Sequence, residues 1–134
     1  MHIEVFVLAW GCVLALVHIF AAATLRTKQY GSDWNAGPRD EEMPPPNPTV
    51  GRLTRAQANF FETFPLVVAA VAGLGIMGIH THWTAIGAHL WLFARVAYLP
   101  LYVWGVKYVR SAAFMVSLAG IVIMLWPLLF ALHG

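Results

Sequence analysis

Apolar positions run almost unbroken from Ile3 to Leu25, from Leu66 to Ile79, through most of Trp83 to Val106, and again from Ser111 onward, with the polar residues gathered between these runs. At 1.5 Å per residue, a first run of about 23 residues is long enough to cross a hydrocarbon core of about 30 Å. The second run is entered through Arg55-Ala-Gln-Ala-Asn59-Phe-Phe-Glu62-Thr-Phe-Pro65, a stretch that reads as helix continuing into the membrane. The pattern therefore predicts four transmembrane helices, over about 3–25, 55–78, 83–106 and 111–133, with Pro100 a candidate kink in the third. The long polar segment 26–54 is predicted to be an extramembrane loop, because Pro44-Pro45-Pro46-Asn47-Pro48 favours an extended polyproline path and opposes a helix. A cleaved signal peptide would start with basic residues and have a shorter apolar centre than one that opens Met1-His2-Ile3-Glu4, so the first run is expected to stay in the mature protein.

Composition fixes the solvent. The chain is 60% hydrophobic and 10% charged, against about 45–50% and 25% in soluble proteins. The predicted class is all-α integral membrane: a single domain over 1–134, folded as a four-helix transmembrane bundle in contact with membrane lipids. A net charge of +2 with scattered arginines argues against nucleic acid as a partner. The single cysteine, Cys12, excludes an intrachain disulfide and is expected to be a buried thiol. Gly73-Leu-Gly75-Ile-Met-Gly78 spells a dinucleotide fingerprint but closes an apolar span instead of joining a strand to a helix, so close helix packing is the expected role. His80, His82 and His89 have no convincing metal-ligand spacing and read as an interfacial turn, so no metal site is expected. His18 reads as a polar packing residue, and Asp40-Glu41-Glu42 as a solvated turn. Lys and Arg outside the spans concentrate in the first loop and at Lys107–Arg110, which puts both termini on the non-cytoplasmic side.

Polar residues inside the spans carry the candidate chemistry. Arg55, Asn59 and Glu62 fall within roughly 40° of one helix direction, a single polar stripe. Arg95, Tyr98 and Tyr102 make a second stripe on the third helix, and Arg110 and Ser111 stand where the fourth begins. An unpaired charge in the bilayer interior costs at least ~3 kcal/mol, so Glu62 and Arg95, at similar depth, are expected to form an ion pair. Two stripes and a rim would then converge on one cavity. Three guanidinium groups, an amide, a hydroxyl and a carboxylate suit a small zwitterionic or anionic guest bearing carboxylates. The alternative is structural, with Glu62–Arg95 locking the bundle and the other polar groups anchoring it at the interface.

The stretch Arg55 to Pro65 resembles the signature of the MAPEG superfamily (membrane-associated proteins in eicosanoid and glutathione metabolism). That pattern is an Arg, an Asn four later and a Glu three after that, ahead of an aromatic and Pro. The resemblance continues through Arg95-Val-Ala-Tyr98, Tyr102 and Arg110-Ser111 and covers essentially the whole chain; the Pro-rich loop with Gly37-Pro38-Arg39-Asp40 looks most like the bacterial branch. It implies a homotrimer in a bacterial inner membrane, with glutathione as bound co-substrate between subunits near the cytoplasmic side. Arg55, Asn59, Glu62, Arg95, Tyr98 and Tyr102 would bind it, Arg110 or Ser111 would stabilise its thiolate, and a lipophilic small molecule would arrive from the membrane. The implied activity is a glutathione-dependent transferase or peroxidase; the alternative is a non-catalytic binding or scaffold subunit on the same fold. Some catalytic relatives carry a second arginine where this chain has Ala58, which leaves Arg26 as a candidate source of that charge.

Overall fold

The structure is a computed structural model that describes residues 2–130. The chain forms α1 (Ile3–Tyr30), a five-residue α2 (Ser32–Ala36), α3 (Pro48–Met77), α4 (His82–Val103) and α5 (Val109–Phe130), with no strand among the described residues. The four long helices are each long and apolar enough to cross a membrane. The end predicted for the last helix, around His133, lies outside the described residues.

The ends of the helices differ from the predicted ones for local reasons. Asn47 accepts a hydrogen bond from the Val50 backbone N–H through its side chain, and Pro48 takes the first helical position, where its missing N–H costs nothing. The last of the five proline-rich positions therefore opens α3 seven residues before Arg55. At its other end α3 stops at Gly78, whose φ of 66° places it in the left-handed cap conformation. Thr81 and Thr84 form a reciprocal capping box that starts α4. Of the predicted 26–54 loop, 26–30 and 48–54 are helical turns of α1 and α3, and the intervening 31–47 is a strap held to the end of α1. The Tyr30 hydroxyl donates to Pro44 O at 2.7 Å, the Gln29 amide donates to Pro45 O at 3.1 Å, and Gln29 Oε1 accepts from the Asn47 N–H at 2.9 Å. Asp40, Glu41 and Glu42 are exposed.

Inside the bundle α1 packs on α3 and α4, α3 also meets α5, and α4 and α5 run together. Phe60, Val67, Leu74, Trp91 and Met124 are fully buried and form the middle of the core, with Val7 and Leu14 contributed by α1. The α4–α5 approach depends on two glycines facing each other. A Cβ on Gly120 would stand 2.5 Å from Gly87 O, and one on Gly87 would stand 2.8 Å from Gly120 O. The Gly73–Gly78 run divides its labour: Gly73 packs under Leu128, Gly75 has nothing nearby, and Gly78 is the cap. Packing by small residues thus holds for the first glycine only.

Cys12 is exposed on the outer face of α1 and not buried as expected, because the inward face of that helix is taken by Val7, Gly11, Leu14, Ala15 and His18. His18 is buried as a packing residue. Its ring lies 4.6 Å from that of Phe60, and Nδ1 donates to Leu14 O at 2.8 Å.

Candidate active site

Ala56, Phe60 and Val67 point α3 into the core. Relative to that direction Asn59 lies nearest of the three stripe residues, Arg55 next, and Glu62 furthest, about 60° around the helix from Asn59. This ordering decides what each side chain meets. Arg95, with 0% of its surface exposed, donates from Nη1 to Asn59 Oδ1 at 2.7 Å. Glu62 is exposed on the flank of the bundle and has no ion-pair partner among the described residues. The predicted Glu62–Arg95 pair is therefore replaced by Asn59–Arg95. The guanidinium charge is met by ring faces, with Arg95 Cζ 4.3 Å from the centroid of Tyr98, 5.3 Å from Phe60 and 5.9 Å from Phe114.

The stripe lines an open cavity of about 600 Å³ together with groups from two other helices. Arg55, Asn59 and Glu62 come from α3, Tyr98 and Tyr102 from α4, and Arg110 and Ser111 from α5, with Phe114 and Met115 adding an apolar wall. Seven of the eight residues singled out from the sequence thus share one cavity, and Arg95 stands behind its wall. Tyr102 joins the two guanidinium groups that line the cavity: its hydroxyl accepts from Arg55 Nε at 3.2 Å, and its ring face lies 4.8 Å from Arg110 Cζ. The turn that delivers Arg110 is held from α3, where Arg52 donates to Val103 O at 3.1 Å and its guanidinium packs against Gly105, a residue with φ of 71°. Arg26 is not among the cavity-lining residues.

Phe114 and Met115 do not stand out in the polar pattern of the sequence, although they follow Ser111 by three and four positions, the spacing of one helix face. A second polar cluster lies at the opposite end of α1 from the strap. Glu4, 2% exposed, takes a hydrogen bond from the Thr84 hydroxyl and meets His80 Nδ1 at 3.3 Å, and His80 stacks on His2 with centroids 3.4 Å apart. The signal was there: the start of α1 and the α3–α4 turn lie at the same end of an up-and-down bundle. His89 Nδ1 bonds its own helix at Ala85 O, and among the described residues no three His, Cys, Asp or Glu side chains gather as metal ligands. Another cleft, of about 370 Å³ near Trp83 and Trp126, is lined almost wholly by apolar groups.

A membrane bundle whose flank opens into a cavity lined by Arg, Asn, Glu, two Tyr and a second Arg defines a class of protein, and the family comparison agrees. The family model of the MAPEG family matches residues 6–130, nearly the whole chain. The chain belongs to the MAPEG family, which covers glutathione transferases and peroxidases and related members. No curated protein matches it.

Proposed function

We propose that the protein is a glutathione-dependent transferase or peroxidase acting on lipophilic electrophiles or hydroperoxides at the membrane. The observation that carries this is the meeting of Arg55 and Arg110 on one tyrosine, in a cavity that also holds Asn59, Glu62 and Ser111. Arg55, Asn59 and Glu62 hold the charged ends and amides of the tripeptide, with Tyr98 and Tyr102 beside them. Arg110, helped by Ser111, stabilises the thiolate: a guanidinium next to a thiol favours its charged form and lowers its pKa from about 8.5 towards neutrality. The thiolate sulfur then displaces a leaving group from an electrophilic carbon to form a thioether, or attacks the terminal oxygen of a hydroperoxide, breaking the O–O bond so that the alkoxide leaves and takes up a proton; the sulfenic acid formed on glutathione is reduced by a second glutathione to the disulfide and water. Ser111 and Met115 are exposed on the side of the bundle, where a lipid-borne co-substrate enters.

Arg55 and Glu62 are also exposed on that flank, and a charged flank inside a membrane calls for a cover. A second copy of the chain, in a homotrimer, supplies it. The basic residues of the first loop and of the α4–α5 turn support a cytoplasmic position for this end of the bundle, in a bacterial inner membrane. A non-catalytic scaffold would satisfy its polar groups within the bundle, whereas Glu62 has no ion-pair partner among the described residues and the cavity is open.

The test is a titration of the detergent-purified protein with glutathione at neutral pH, following thiolate ultraviolet absorption. Thiolate formation should be lost in Arg110→Ala, and binding itself weakened in Arg55→Ala. Absence of saturable binding by the native protein would refute the glutathione reading.

A further inference from the structure

Arg95 is the one candidate residue that the cavity does not expose, and its environment gives it a different task. Replacing a buried ion by an apolar side chain of similar volume is often neutral or stabilising, and the Nε and Nη2 of Arg95 find no acceptor among the described residues. Ring faces, not acceptors, surround the rest of its guanidinium. Its one directed bond goes to Asn59 Oδ1 at 2.7 Å. Arginine has donors only, so the amide atom that faces it must be the oxygen, which removes the usual ambiguity between the two ends of an asparagine side chain. The amide nitrogen then points the other way, and Asn59 lines the cavity.

We infer that Arg95 is a positioning residue: it locks the Asn59 amide so that the cavity meets N–H donors there, and an occupant must bring an acceptor oxygen, a carboxylate or an amide carbonyl, to that spot. The inference rests on the function proposed above only for the identity of that occupant. Glu62, without an ion-pair partner among the described residues, is the acceptor that stands one turn further along α3. Donor and acceptor are thereby assigned to fixed places on the α3 wall. Without Arg95 the amide turns freely and presents either end.

Two readouts test this on the full chain in detergent micelles. Without ligand, the side-chain amide pair of Asn59, assigned in ¹⁵N spectra by its loss in Asn59→Ala, should shift in Arg95→Met and stay near its native position in Arg95→Lys. An unchanged pair in Arg95→Met would overturn the inference, whatever the protein binds. With glutathione as probe, Arg95→Met should weaken binding about tenfold, as expected for one misdirected hydrogen bond, but less than twofold in the Asn59→Ala background, because Arg95 acts through Asn59. Equal losses in both backgrounds would overturn it. Failure of the native protein to bind glutathione would sink the function proposed above, and the ligand-free amide signal would still decide the orientation.

Discussion

Substituting Gly120 by alanine should drive α4 and α5 apart. The added methyl would lie 2.5 Å from Gly87 O and 2.7 Å from Trp91 N, both backbone atoms that cannot swing aside. Restoring an ordinary contact of about 3.4 Å requires the two helices to separate by about 0.9 Å at the crossing, and overpacking of this kind costs about 1–3 kcal/mol. The separation would also reach the cavity, because Tyr98 and Tyr102 ride on α4 while Arg110 and Ser111 ride on α5. A misplacement near 1 Å can cost on the order of 100-fold in rate when it disturbs reacting groups. Thermal melting in detergent, followed by tryptophan fluorescence, measures the first effect, and turnover of a lipophilic electrophile at saturating glutathione measures the second. Gly75→Ala is the control. Nothing stands within 4 Å of its added methyl, so it should be neutral or stabilise by up to about 1 kcal/mol through helix propensity. If Gly120→Ala melts with the native protein, or the two variants behave alike, the tight crossing is refuted.

Tyr102→Phe removes the oxygen that accepts from Arg55 at 3.2 Å but leaves the ring under Arg110. Glutathione affinity should fall about three- to tenfold, with the thiolate signal per bound molecule unchanged; loss of that signal would mean that the hydroxyl itself acts on sulfur. Thr84→Val takes a donor from the buried Glu4 carboxylate and half of the cap from α4. It should lower stability by about 1–3 kcal/mol, and an unshifted melting curve would show that the cluster holds nothing together.

The four spans were legible because apolar runs as long as Ile3 to Leu25 match the thickness of a hydrocarbon core, and the cavity was legible because helical spacing aligns Arg55, Asn59 and Glu62. The partners within the stripe were not. Depth along the axis suggested that Glu62 meets Arg95, but rotation about the axis decides contacts, and that is set by where Ala56, Phe60 and Val67 pack. The start of α3 was misplaced because five proline-rich positions read as one extended unit, although an Asn followed by Pro48 is also how a helix begins. The Gly87–Gly120 crossing depends on which faces of α4 and α5 oppose each other, and that lies beyond any local pattern.

At 30 residues α3 is about 45 Å long, roughly 15 Å more than the hydrocarbon core is thick. Counted back from Met77, the oily region ends near Ala58, so Arg55 belongs to the headgroup layer and Glu62 lies about one turn beneath it. The cavity straddles a phase boundary. A water-soluble reactant meets it from three-dimensional solution, whereas a fat-soluble one arrives by diffusion in two dimensions, at a concentration set by its partition coefficient and not by the volume of buffer. Adding lipid or detergent at constant protein will dilute the second reactant without touching the first, so apparent affinity for an oily co-substrate has meaning only per mole of lipid.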